Sequence, residues 1–411
     1  MASPEVIERI RQQAVKQLPG LVTEEGYPAS AEGRFRNAIF TRDYCTFGLL
    51  ALEKPQNGEL PIILEGIKTS LETSARHQGM KYDPTTCETP CEMPHEMHGE
   101  TSNQERLAEI KRNGGPVIEI NGHLEMITYW ARDVNGLWNS LFSRYVLLTG
   151  DWTFRDKLWS NLEASVRWLA EEGDIDGDLL IEGPHNQWWK DSETSLVDEQ
   201  GRMPLDPVAT LDVNSFAYLS DILSADLYES KGNLRMAQML RERALERRRL
   251  INKLFWIEDF GLYAPAIDAA KKPISIQTSD SVFPLWVGIP DSQRAERVVA
   301  RLVQPDLLTM WGLRTRSRHS TKYDPGEYQN GNVWFQLAAI AAAGCERYGL
   351  TQEAVVFDDC VYRTSSELGF PELSEVDDQN NVFPYRENGV PVACNPQTWV
   401  IGGVLNRTAS R

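Results

Sequence analysis

The chain has no run of about 18 apolar residues anywhere in its 411 positions, which excludes a conventional membrane-spanning helix. Its first residues, MASPEVIERIRQQAV, lack the basic start and apolar core of a secretory leader, so a cytoplasmic location is expected. Cysteine is scarce: six residues, at 45, 87, 91, 345, 360 and 394, are scattered through 46.6 kDa. Such spacing suits reduced thiols rather than a disulfide framework. Positive charge is in deficit, with 42 Lys and Arg against 59 Asp and Glu and a formal charge of −17. That balance argues against nucleic acid or an anionic membrane as partner. No Pro/Ser/Gly linker divides the chain, and a single domain over 1–411 is expected.

Strand-like alternation is also rare. Only 115–119 and 381–385 read as short hairpin strands, whereas helical periodicity recurs throughout, as in Leu137, Leu141, Tyr145 and Leu148. The periodic segments number about twelve, near 3–17, 42–54, 59–77, 126–149, 152–172, 211–230, 233–254, 279–288, 291–303, 329–348, 351–367 and 395–405. Three of them end in glycine-bearing stops followed at once by a capping residue, Asp151, Asn233 or Thr351, and an antiparallel partner. Hairpins of irregular length, with long polar and aromatic loops at the opposite end, predict an all-α toroid of six helical hairpins, an (α/α)6 barrel, rather than an open solenoid. The loops 78–125, 174–210, 305–328 and 369–394 should share one rim, and loops of that length usually carry function.

Two of those loops hold isolated carboxylates in stiff or aromatic surroundings. Residues 183–192 read Gly-Pro-His-Asn-Gln-Trp-Trp-Lys-Asp-Ser, and 369–373 read Gly-Phe-Pro-Glu-Leu. Trp188 and Trp189 lower the polarity around Asp191 and favour a general acid, although the segment alone serves equally as a capped turn. Pro371 stiffens the backbone before Glu372, which standing alone would read as a surface glutamate. Two carboxyl groups are the minimum equipment for cleaving a glycosidic bond, and indole faces suit sugar rings. Arg42 and Asp43, with Tyr44 beside them at a helix start, offer a fork of donors and an acceptor to vicinal hydroxyls. His95, Glu96, Gln187, Asn214, Tyr328, Asn330, Trp334 and Gln397 are further candidate sugar contacts on the same rim.

Metal sites are weighed and set aside. Asp174, Asp176, Asp178 and Glu182 look like a calcium loop, but Gly177 and Glu182 fall at the wrong positions for an EF-hand. Cys87, Cys91, His95 and His98 are packed more tightly than common zinc spacings, with prolines between them. Calcium and zinc are therefore minor readings of these segments. A lyase or epimerase would need a base such as His95, His123 or His185, and a non-catalytic sugar-binding toroid would keep the tryptophans without needing both acids.

The ordered set FTRD (40–43), EMPHE (92–96), LLTGDW (147–152), DGDLLIEG (176–183), WWKDS (188–192), DVNSFAY (212–218), WGLRT (311–315), YQNGNVW (328–334), PEL (371–373) and CNPQTW (394–399) resembles the amylo-α-1,6-glucosidase (glycogen-debranching) glycoside hydrolases. Those enzymes sit within a wider (α/α)6 group that includes glucoamylases, processing α-glucosidases and mannosylglycerate or glucosylglycerate hydrolases. The resemblance implies an inverting α-glycosidase with neither metal nor organic cofactor, with Asp191 as general acid, Glu372 as general base, and Arg42 and Asp43 holding the sugar. It implies a small sugar or oligosaccharide as partner, most simply an α-glucoside or an α-1,6-linked oligosaccharide, and leaves a homo-oligomer open. The chain departs from the family in having no β-rich N-terminal domain, in Gln329 where histidine is usual, and in Phe335 where proline is usual. A compact barrel also suits a small charged glycoside such as a glycosylglycerate, whose carboxylate Arg314 or Arg386 would meet.

Overall fold

A computed structural model describes residues 2–56 and 58–409. Its described helices are α1 (Pro4–Leu21), α2 (Thr41–Ala51), α3 (Leu60–Arg76), α4 (Gln104–Arg112), α5 (Val134–Thr149), α6 (Trp152–Lys157), α7 (Trp159–Trp168), α8 (Leu211–Ser230), α9 (Leu234–Leu254), α10 (Val282–Val287), α11 (Ser292–Leu302), α12 (Gln336–Arg347), α13 (Thr351–Glu367) and α14 (Thr398–Thr408). Six of them, α2, α5, α8, α10, α12 and α14, pack each on the next, and α14 returns to α2. Around that ring lie α1, α3, α7, α9, α11 and α13, five of them seated directly on an inner partner. This is an (α/α)6 barrel. None of the described helices is long and apolar enough to cross a membrane.

Sequence explains which helix goes to which layer. Every residue of α2 and α14 is buried, as is Gln336–Cys345 of α12, and these segments carry small or apolar residues on all sides. The outer helix α11 instead buries one stripe, Ala295, Val298, Val299 and Leu302, at the three- and four-residue steps of an amphipathic helix. Asp151 and Asn233 accept hydrogen bonds from Phe154 N and Met236 N and cap their helices as the pattern predicts. Thr351 does not: it is the first residue of α13, and no side chain caps that helix.

Several boundaries differ from the periodic reading. The segment predicted as helix 126–149 begins as a strand, because His123–Thr128 pairs on both sides within a four-stranded sheet. That sheet is β1 (Ile39–Phe40), β2 (Glu96–His98), β4 (His123–Thr128) and β3 (Ile118–Ile120), in that spatial order. Gln329 has a left-handed backbone (φ 62°) and Val333–Trp334 is a strand, so the helix expected from 329 starts only at 336. The helix expected over 152–172 is two, broken at Leu158. Helix α4 has no counterpart in the periodic reading: Gln104–Arg112 offers too few apolar residues to show a period, and it buries only Leu107.

Close approach of the inner helices depends on missing side chains. A Cβ on Gly402 of α14 would lie 2.6 Å from Phe47 Cα and 2.8 Å from the Phe47 carbonyl oxygen of α2. Backbone cannot swing aside as a flexible side chain can, so Gly402→Ala forces α14 off α2. Overpacking of this kind costs about 1–3 kcal/mol, and the better helix propensity of alanine returns at most about 1 kcal/mol. Urea unfolding of G402A is expected to show a net loss of about 1–2 kcal/mol with an unchanged denaturant slope.

Candidate active site

The loops at one end of the ring enclose a narrow chamber of about 40 Å³, lined by Arg42, Asp43, Trp189, Asp191, Gln329, Tyr328, Trp334, Glu372, Gln397 and Trp399, with Ala29, Phe35 and Phe40. It opens past Phe35, Phe40, Asp191 and Tyr328 into an outer cavity of about 380 Å³, where Arg34, His95, Glu96, Arg106, Trp130 and Glu387 join the wall. The pleat of the four-stranded sheet decides which of its residues reach this cavity. Phe40, Glu96, Met126 and Thr128 face it, while Ile39, Met97 and Ile127 face a separate cavity of about 570 Å³ on the reverse side. The larger cavity contains neither Asp191 nor Glu372.

Asp191 stands on a loop pinned from three directions. Trp189 N donates to Asp212 Oδ2 (3.1 Å) and Trp189 Nε1 to Asp280 Oδ1 (2.7 Å). Lys190, its ammonium over the faces of Trp188 and Trp189, pairs with Asp280 Oδ2 at 2.7 Å, both side chains buried. Gln329 reaches across the acid itself: its Nε2 donates to Trp189 O (2.8 Å) and its Oε1 accepts from Ser192 N (3.0 Å). Desolvation pushes the Asp191 carboxyl up from its ordinary range, against the pull of the Arg42 guanidinium.

Glu372 is buried, its Oε1 accepting from the Tyr328 hydroxyl (3.2 Å) and its Oε2 from Cys394 N (3.2 Å). Burial lifts its pKa to about 7 in spite of those two donors, and Asp191 adds to the rise. Asp43, also pushed well up by burial, accepts from Gln397 Nε2 at 2.6 Å. Gln397 Oε1 and Trp399 Nε1 are buried without partners among the described residues, which leaves an acceptor and a donor beside the chamber.

Arg42 is more committed than the sequence implies. Its Nε and Nη2 bind Asp133 (2.6 and 3.3 Å) and Nη2 also binds Trp188 O (2.9 Å), so only Nη1 has no partner among the described residues. The guanidinium is thus a strut between the start of α5 and the acid loop as well as part of the chamber wall. Asp133, which holds it, gives no sign in the sequence because the two lie 91 residues apart.

Five candidates lie off the chamber, each taken up by protein. The Tyr44 hydroxyl shares a hydrogen bond with Ser74 Oγ (2.7 Å) within the core. Gln187 Oε1 accepts from Arg132 Nε (3.0 Å) behind the loop. Trp188 is fully buried and offers only its carbonyl, to Arg42. Asn214 clamps Ile181 N and O and Thr210 O, and Asn330 bridges Arg316 and Glu327. Arg314 and Arg386 are also engaged elsewhere, the first with Tyr323 and the carbonyls of Val376 and Asp377, the second with Gly389 O. The cations that do line the outer cavity, Arg34 and Arg106, both stack on Phe35, at 5.1 and 5.0 Å.

Cys87, Cys91, His95 and His98 do not converge on one point: Cys91 Sγ accepts from Arg167, His98 Nε2 bonds Glu96, and His95 lines the outer cavity. Among the described residues only Asp174, Asp176 and Asp178 bring three potential ligand atoms within 4.8 Å of one another. Lys271 Nζ already bonds Asp176, Asp178 and Glu182, and Asp174 accepts from three backbone N–H groups, so an ammonium supplies the positive charge there.

The sequence profile of the mannosylglycerate hydrolase MGH1-like glycoside hydrolase domain matches residues 137–377, more than half of the chain and the stretch that carries both acids. This chain belongs to that family. Solved structures agree on the fold. A GH63 mannosylglycerate hydrolase from Thermus thermophilus in complex with Tris and D-glycerate superposes with a TM-score of 0.70 at 16% identity, over 97% of this chain and 99% of that one. The same enzyme in complex with glucose gives 0.68 over the same spans. A glycosidase variant in complex with glucose gives 0.60 at 13% identity, over 99% of this chain and 98% of that one. As a member of the MGH1-like family the protein is a glycoside hydrolase, of the (α/α)6 group that the ordered motifs resemble.

Gln329, marked in the sequence only as standing where the resembled family usually has histidine, is the residue that holds the Asp191 loop across the chamber. Gln329→Leu removes both clamps across Asp191, each worth about 1 kcal/mol to the fold, but it also frees the acid to turn. Misplacement of a catalytic group costs rate steeply, so glycosidase kcat of Q329L is expected to fall by roughly 10- to 100-fold, with a much smaller change in KM.

Proposed function

We propose that the chain is a single catalytic unit, an inverting α-glycosidase in which Asp191 is the general acid and Glu372 the general base. The observation that carries the reading is that two carboxyl groups, from loops 181 residues apart, line one chamber with their orientations fixed by Gln329 on one side and Tyr328 and Cys394 on the other. The glycone is placed at the narrow chamber, which must widen from about 40 Å³ to admit a sugar ring, against Trp189, Trp334 and Trp399 and within reach of Asp43 and Gln397. Protonated Asp191 delivers its proton to the glycosidic oxygen while Glu372 takes one from the water that attacks the anomeric carbon from the opposite face. The bond to the aglycone breaks and the sugar leaves with inverted configuration.

Asp191 lines both chambers, which makes the outer cavity the leaving-group side. Arg34 in its wall is paired with Glu387 at 2.5 Å, but Arg106 has an unpartnered Nε among the described residues and favours an aglycone with a carboxylate. The D-glycerate held by the Thermus enzyme belongs to that chemical class. We therefore place the substrate among small α-glycosides of hydroxy acids, with α-glucosyl or α-mannosyl glycerate as the first candidates. Cleavage of an α-1,6-linked oligosaccharide is the alternative from the motif resemblance. Turnover of isomaltose, panose and limit dextrin, but of neither glycosylglycerate, would establish it and overturn the charged-aglycone reading.

Asp191→Asn and Glu372→Gln are each expected to lower kcat at least ~10³-fold while leaving the melting temperature within a few degrees; near-wild-type activity in either variant removes that residue from its role. Arg106→Gln is expected to raise KM for a glycosylglycerate by roughly tenfold and to spare a neutral aryl glycoside.

Glu372 must be ionised and Asp191 protonated in the same molecule, so kcat/KM is expected to follow a bell in pH with one limb near 7, the value to which burial lifts Glu372. Tyr328 stabilises the carboxylate, and Tyr328→Phe should move that limb to higher pH by roughly half to one unit. A limb that stays in place or moves to lower pH contradicts the assignment of the base.

A further inference from the structure

We propose that His95 selects the leaving group, binding a hydroxyl of the aglycone through a neutral imidazole ring. The proposal rests on the assignment of the outer cavity as the leaving-group side.

Backbone bonds fix the residue on both flanks. His95 O accepts from Thr41 N (2.9 Å) at the start of α2, and His95 N donates to Thr128 O (2.7 Å) on β4. Its ring meets Phe40 edge to face, centroids 5.3 Å apart at 79°, in the wall that also carries Asp191, Ser192 and Tyr328. The residue is 4% exposed, yet neither Nδ1 nor Nε2 has a partner among the described residues. An unpaired buried polar atom costs about 1–3 kcal/mol, so a purely structural residue here would be apolar. His98, three residues on, shows the contrast: its Nε2 is tied to Glu96.

Burial, with help from the Arg42 guanidinium, lowers the His95 pKa to about 4. At neutral pH the ring therefore presents one N–H donor and one lone pair and no charge. A carboxylate accepts only, and Arg106, unlike the Glu387-paired Arg34, already supplies charge for it. An alcohol both donates and accepts, and so matches a neutral imidazole whichever ring nitrogen it meets. The cavity is thus divided by chemistry, with the Arg106 guanidinium for an anion and His95 for a hydroxyl near the bond that Asp191 protonates.

The test compares wild type, His95→Leu and His95→Gln on substrates with and without an aglycone hydroxyl. The first pair is α-glucosyl and α-mannosyl glycerate, and the second is 4-nitrophenyl α-D-glucopyranoside and α-D-mannopyranoside. H95L is expected to lower the ratio of kcat/KM for the glycerate substrate over its nitrophenyl counterpart by roughly 10- to 100-fold. H95Q, which keeps a donor and an acceptor, should recover most of that ratio. Thermal melting of H95L should equal or exceed wild type, because two unsatisfied buried atoms are gone. A ratio within about threefold of wild type, or a lowered melting temperature with both activities falling together, overturns the proposal and leaves the glycosidase reading standing. A wild type that cleaves none of the four substrates overturns both.

Discussion

Everything at the active end depends on α14 closing the ring against α2. Arg42 and Asp43 lie near the start of the chain, and Glu372 and Gln397 near its end. They share a chamber only because the last inner helix returns to the first. The bond from Gln397 Nε2 to Asp43 Oδ1 spans 354 residues and is the polar signature of that closure at the rim. Gly402 is its steric condition, since any side chain there would strike the backbone of Phe47. A solenoid of the same hairpins would keep each helix pair and lose the site.

Within the ring, the loop that carries Asp191 is held by buried charge as well as by the packing of Trp188 and Trp189 in the core. Lys190 with Asp280 and Arg42 with Asp133 are buried ion pairs, and both touch residues 188–191. Pairs of this kind often add little net stability, because desolvation offsets most of their attraction. What they contribute is direction. A charge with one partner in a dry interior has one acceptable place, and the segment Trp188-Trp189-Lys190-Asp191 inherits that place.

The sequence is most informative where a single period runs long enough to be read. The predicted helices each overlap observed helix over more than half of their length, and the layer of each follows from how far round its apolar residues extend. It is least informative in short apolar runs. His-Leu-Glu-Met-Ile-Thr at 123–128 satisfies helical and strand periods alike, and only pairing with Glu96–His98 decides for the strand. At the site, Asp191 and Glu372 are legible because tryptophan and proline mark their loops. Asp133, Arg34 and Arg106 are not, since their meaning lies in residues far away in the chain. Tyr44, Asn214 and Asn330 lie off the chamber on protein partners, and a polar group at a helix start or on a rim loop looks the same in sequence whether it serves a ligand or the backbone.

The same shielding from water acts on the carboxyl groups of the site. Asp43, Asp133, Asp191, Asp212, Asp280 and Glu372 gather in and beneath the chamber, and the cations fixed among them are Arg42 and Lys190. Six carboxyl groups facing two positive charges, with little water to solvate them, cannot all ionise at neutral pH. Asp133 and Asp280 hold the cations directly as counter-ions. The remaining four share the consequence, and each of Asp43, Asp191, Asp212 and Glu372 is pushed up by desolvation. Burial thus raises Asp191 and Glu372 together, in the direction that a proton donor requires. Groups that favour the anion touch both, Tyr328 and Cys394 N at Glu372, and Gln329 with the Arg42 guanidinium at Asp191. The two carboxyl groups therefore differ in which groups touch them, inside an environment that raises both.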